Sequence, residues 1–195
     1  MAEVSLPEIR LADASFGIRR SDNVLSLMNG KDVITEFTHA VWIAQLQIVP
    51  LTEEEAGAWT GPLARLSRIS NYFKSSPPSY KGAAYKATTL QVDGAGQLGM
   101  QLNVKNAESG AFILRAGEYF EVNGETKIVV QDCIADGSGK GTVEFEPPLR
   151  TAPTDSATLN TQTPTIKWRL AEPEIVWNIR LARFHHIALD IVEVV

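Results

Sequence analysis

Three groups of residues in this chain have the types and spacing that chemistry uses. Gly137 to Thr142 spells GSGKGT, which on its surface is a phosphate-cradling loop. The complete pattern needs a glycine at position 134 and a serine or threonine at 141, where this chain has Ile134 and Gly141. A β-type run follows where a helix N-terminus would have to supply the anion-binding dipole, so the stretch reads as a hairpin turn. His185-His186 invites a metal reading, with His39 as the third histidine. Successive strand residues point to opposite faces, however, and two imidazoles so placed do not easily share one ion; a structural pair is favoured. Glu118, Asp132 and Asp136 invite a paired-carboxylate glycosidase, which needs two carboxyls roughly 5 to 9.5 Å apart with one pKa raised. Two of the three lie in or beside turns, where aspartate caps its own backbone.

The other candidates favour packing over chemistry. Cys133 sits in the apolar run Ile128 to Ile134 and reads as a small core residue, with a reactive thiol second. No G-x-S-x-G elbow accompanies any serine. Trp42, Trp59, Trp168 and Trp177 each fall in register with apolar neighbours, which favours core over a sugar-binding face. Arg150 follows Pro147-Pro148-Leu149 and has two open readings, a docking contact presented by a stiff corner or one half of a local ion pair. No residue is assigned a catalytic, cofactor-binding or metal-ligating role, and no enzyme activity or cofactor is expected.

Composition narrows the classes further. A chain of 195 residues can bury roughly 70% of its unfolded surface without staples. Eighteen basic against 23 acidic residues leave a formal charge of -5, which argues against a protein that grips nucleic acid through phosphate contacts. One cysteine excludes an intramolecular disulfide and a multi-cysteine zinc site. The opening MAEVSLPEIR is acidic where a secretory signal would be basic, and no run approaches the roughly 18 apolar residues of a membrane span, so synthesis in the cytoplasm and no membrane partner are expected.

The elements that would position these residues are mostly strands. Asn29-Gly30 between Val24–Met28 and Val33–Phe37 predicts a hairpin on a two-residue turn. Ala40 to Val49 predicts a strand with Trp42, Ala44, Leu46 and Ile48 on one face and Val41, Ile43, Gln45 and Gln47 on the other. Thr52-Glu53-Glu54-Glu55 is a capping box and starts a helix whose stripe is Ala56, Trp59, Leu63, Leu66, Ile69 and Phe73. Gly61-Pro62 predicts a kink or two abutting pieces, and Ser75-Ser76-Pro77-Pro78-Ser79 ends the helix and opens an extended loop. From Ala87 to Leu170 short strands alternate with turns at Asp93-Gly94, Glu108-Ser109-Gly110, Asn123-Gly124 and Asp136 to Gly139. Two further strands follow, Ile175 to Leu181 and His186 to Val194, and they resemble the first three more than the middle. The expected fold is therefore all-β with one helix: residues 1–86 and 168–195 as one discontinuous domain, and residues 87–167 inserted as a compact antiparallel barrel.

Leu114-Arg115-Ala116-Gly117-Glu118-Tyr119-Phe120, Asp132 with Ala135 to Gly139, Val143 to Arg150 and Trp168-Arg169-Leu170 follow one another in an order that carries a resemblance. With the Trp42 strand, the helix around Trp59 to Leu66 and the closing Val192-Glu193-Val194, nearly the whole chain resembles the siphophage distal tail proteins and related minor tail proteins of phage baseplates. The resemblance implies a tail-tube-like β-barrel or sandwich with a flanking helix, built by both termini, and an inserted barrel similar to an OB-fold. It implies a virion protein that forms a ring, hexameric in that family, between the tail tube and the tail tip or baseplate hub. DNA passes through the lumen of such a ring without specific binding. A rival expectation is a carbohydrate-binding module that uses the inserted barrel, with exposed aromatics near Tyr119 and Phe120 as the glycan platform. A tail-associated hydrolase using Glu118 or Asp132 is the third.

Overall fold

The computed structural model describes residues 1–35, 39–84, 90–175 and 184–195, together with the backbone of 177–179. The predicted strand end at Phe37, the loop end at Tyr85 and the strand end at Leu181 lie outside these residues. In chain order the first elements are β1 (Ala2–Glu3), β2 (Leu11–Arg20), β3 (Asn23–Ser26), β4 (Asp32–Thr35), β5 (Ala40–Ile48), α1 (Glu53–Leu66) and β6 (Asn71–Ser75). The middle supplies β7 (Gln91–Val92), β8 (Gly99–Lys105), β9 (Phe112–Leu114), β10 (Tyr119–Val122), β11 (Glu125–Val129), β12 (Cys133–Ile134) and β13 (Gly141–Leu149). The chain closes with β14 (Ile166–Leu170), β15 (Trp177–Ile179) and β16 (His185–Glu193). The architecture is all-β with a single helix among the described residues, and it contains a curled, half-barrel sheet.

The chain divides into two compact units. The first is Met1–Arg19, Val41–Pro78 and Lys167–Val195; the second is Arg20–Ala40 and Ser79–Ile166. The hairpin β3–β4 and the segment from Ser79 thus group with the middle of the chain, where a simple split at 86 and 168 would have put them with the ends. Local bonds explain the regrouping. At the hairpin base Arg20 pairs with Glu146 at 2.6 Å, and Arg150 Nη1 donates to the Ala40 carbonyl at 3.4 Å. Further on, Ala83 N donates to Thr161 O at 3.0 Å and Ala84 N to the Glu118 carboxylate at 2.7 Å.

The first unit carries a seven-stranded sheet in the order β1-β6-β14-β16-β5-β2, with β15 also on β16. β5 alternates as its sequence requires: Trp42, Ala44, Leu46 and Ile48 are buried while Gln45 and Gln47 are exposed. β16 pairs with it antiparallel, Ile191 opposite Ala44 and Leu189 opposite Leu46. The N-terminal strand β2 had no clear signal, because LADASFGIRR is rich in residues of low β-propensity; Phe16 holds it, stacked on Trp42 with ring centroids 4.7 Å apart.

The capping box forms as predicted, with Thr52 Oγ1 accepting from Glu55 N and the Glu55 carboxylate accepting from Thr52 N at 2.9 Å. Ala56, Trp59, Leu63 and Leu66 form the buried stripe. Glu55 is held below the usual carboxylate range by the Thr52 amide first and by Arg10 next. The helix stays in one piece through Pro62 and stops at Leu66, earlier than the apolar spacing suggested. Its last carbonyls are taken by groups that cannot continue a helix: Ser67 Oγ donates to Ala64 O at 2.8 Å and Asn71 Nδ2 to Arg65 O at 2.7 Å. Ile69 is consequently exposed in the turn, and Phe73 reaches the core from strand β6.

The second unit is built on a five-stranded antiparallel sheet, β10-β11-β13-β8-β7, with the two-stranded β12–β9 beside it. Its core gathers Val92, Leu102, Val104, Phe120, Val143 and Phe145, all close to fully buried. Asn123-Gly124 forms a two-residue turn with both φ angles positive, 53° and 77°, and sets the register Val122 opposite Glu125. Asn29-Gly30 differs. There Leu27 pairs with Lys31, Gly30 N donates to Leu27 O at 3.0 Å, and Gly30 takes the positive φ, so the loop is three residues long.

Candidate functional site

The carboxylates singled out for chemistry, Glu118, Asp132 and Asp136, are occupied with holding backbone. Asp136 Oδ1 accepts from Ser138 N at 2.7 Å and Lys140 N at 3.0 Å, closing GSGKGT into a turn that feeds β13. Glycine is required at 139 for a steric reason: its φ is +76°, and a Cβ there would collide with the Ala107 carbonyl oxygen. The Lys140 ammonium is bound to Asp93 at 2.7 Å, which raises its pKa. Both backbone amides and the Ser138 hydroxyl lower that of Asp136.

Glu118 and Asp132 converge on one turn. Glu118 Oε2 accepts from Arg115 N and Asp132 Oδ1 from Ala116 N, both at 2.8 Å, while Glu118 Oε1 holds Ala84 N at 2.7 Å. Both carboxylates therefore act as backbone acceptors. His185 and His186 are successive residues of β16, and the His185 backbone pairs with Leu51 in both directions. No group of three or more histidine, cysteine, aspartate or glutamate side chains placed to hold a metal occurs among the described residues.

Trp42, Trp59 and Trp168 are core residues. The side chain of Trp177 lies outside the described residues. Cys133 is buried against Ile113 and Gly141, and burial raises its thiol pKa. Phe120 is fully buried edge-on to Phe145, and the half-buried Tyr119 packs in a T-shaped contact with Tyr80, centroids 5.1 Å apart. Tyr80 is itself tied in, its hydroxyl 3.0 Å from the carbonyls of both Tyr119 and Thr161. Burial foremost pushes its pKa up to about 12.

Of its two readings, Arg150 follows the ion-pair one. Glu125 accepts from Arg150 N at 3.1 Å and Thr151 N at 2.9 Å, and the Arg150 Nε lies 3.7 Å away. Lys127, with 0% of its side chain exposed, lies 2.8 Å from the same carboxylate and donates to Pro148 O at 2.9 Å. The sequence reading missed this buried pair. Glu125 and Lys127 alternate with Thr126 and Ile128 in a pattern that looks solvent-facing, yet Glu125, Thr126 and Lys127 are all buried, and β11 lies between β10 and β13 in the sheet.

Apolar residues are also exposed on the surface. The hairpin β3–β4 has all eight strand residues exposed. Val24, Leu25, Val33 and Ile34 are 57, 59, 46 and 64% exposed, and Met28 stands clear at the tip. A groove of about 380 Å³ on the second unit is lined by Leu98, Met100 and Val130 with Glu144 and Glu146. A larger hollow of about 500 Å³ on the first unit lies among Phe16, Ile43 and Val192, flanked by Arg19 and Asp190. No stretch of helix among the described residues is long and apolar enough to cross a membrane. Comparison with protein-family models and with curated proteins finds no match.

Proposed function

We propose that this chain is a non-enzymatic virion building block, a ring-forming distal tail protein that joins a phage tail tube to the tail tip or baseplate. Copies, six in the family it resembles, meet through heterologous contacts, one surface of each subunit against a different surface of the next. DNA passes through the lumen, and a net charge of -5 suits a wall that does not hold it.

The observation that carries this reading is the hairpin β3–β4. A two-stranded ribbon is marginal in water unless a third strand, a helix or a partner covers it. Here an apolar ribbon has both faces exposed, and the ion pair of Arg20 with Glu146 and the Arg150 bond to Ala40 hold its base. An exposed apolar surface of this kind marks an interaction site. The long strand β2 at one end of the seven-stranded sheet adds a second open feature, since a sheet edge is a template for pairing.

Each ring contact should bury more than about 1,000 Å². Solution mass and negative-stain imaging of the purified chain, alone and with tail-tube protein, test the reading. Closed rings of uniform stoichiometry are expected. Monomers under both conditions would overturn it.

A further inference from the structure

We infer that the groove formed by Leu98, Met100 and Val130 receives the tip of hairpin β3–β4 from a second copy of this chain. The inference rests on the ring reading and names the surface that one subunit offers the next.

The two surfaces match in chemistry. The groove is lined by Leu98, Met100 and Val130, at 60, 50 and 50% exposure, together with Glu144 and Glu146. The hairpin tip presents Met28, fully exposed, with Lys31 three residues on. A methionine is unbranched and adapts to an irregular apolar slot. The Lys31 ammonium, three residues from Met28, meets the Glu144 carboxylate with the opposite sign of charge.

The occupant is assigned to a second copy from the placement of the two surfaces. Hairpin and groove belong to the same compact unit, and both are exposed there, so a chain's own ribbon does not cover its own groove. The ties at Glu146 and Ala40 hold the ribbon at its base. A tip that fills a pocket elsewhere on an identical molecule makes a heterologous contact, and such contacts repeat around a ring or along a filament.

Two differently tagged variants, Met28→Cys and Leu98→Cys, are mixed under mild oxidation. Cys133 is buried, so it leaves the readout clear. A disulfide-linked heterodimer is expected, well above a control mixture in which Val195→Cys replaces Leu98→Cys. In parallel, Lys31→Glu should weaken self-association about tenfold, the loss of one favourable charge contact, and Glu144→Lys in the same chain should restore it. Cross-linking no greater than the control overturns the docking, as does a charge swap that fails to restore association. If rings persist in Lys31→Glu without the specific cross-link, the docking falls and the ring reading stands. If the cross-link forms between chains that never close into rings, the docking stands and the ring reading falls.

Discussion

Glu125 organises the interior charge of the second unit. Burial alone would push its carboxyl up; the Lys127 hydrogen bond, the Arg150 amide and the two cations outweigh that and hold the pKa below its ordinary value. Removing one partner of a buried pair leaves the other charge desolvated and unpaired, at a cost of about 3–5 kcal/mol. Glu125→Ala should therefore lower unfolding stability by about that amount in urea titrations, and a loss under about 1 kcal/mol would show that water already reaches Lys127. A carboxyl whose folded-state pKa is depressed stabilises fully above its unfolded pKa and stops doing so as the pH falls through the folded value. Acidification below about pH 4 should destabilise the native chain, with a shallower slope in Glu125→Gln. None of this was legible at the level of residue type. Glu118, Asp132 and Asp136 drew attention because carboxylates near turns are easy to see, and they serve backbone amides. Glu125 and Lys127 look like any exposed strand pair until neighbouring strands enclose them.

Helix α1 was the most legible element at its start and the least at its end. A capping box is local, since Thr52 and Glu55 are three residues apart and their bonds need no tertiary neighbour. Thr52→Ala should cost about 1 kcal/mol, measured by thermal or urea unfolding; no loss would mean that Arg10 and water hold the first turn without the cap. The C-terminus depends on a longer reach. Asn71, six residues beyond Arg65, takes that carbonyl and turns the chain into β6, so Ile69 and Phe73 leave the stripe that their spacing implied. The same contrast separates the two Asn-Gly turns. At 123–124 the flanking strands pair up to the turn; at 29–30 the pairing stops one step earlier and a three-residue loop results. The dipeptide predicts a hairpin in both places, and strand register chooses its length.

At the scale of the whole molecule, two units with separate internal packing should report their perturbations separately. Gly141→Ala adds a Cβ that would stand 2.7 Å from Ile113 Cδ1 and 2.9 Å from Cys133 Sγ, overpacking worth about 1–3 kcal/mol in the second unit only. In scanning calorimetry it should lower one transition and Thr52→Ala the other, whereas a common shift of both would show that the chain unfolds as one cooperative body. By itself the amino-acid order determined the class: many short strands, punctuated by Gly and Asn turns, and one capped helix. Those properties follow from periodicity and turn stereochemistry, which act over a few residues. Tertiary structure alone decided where the apolar surplus went. Val24-Leu25 and Val33-Ile34 are apolar pairs of the kind core strands carry, yet burial depends on what lies across from a strand, and among the described residues nothing buries theirs.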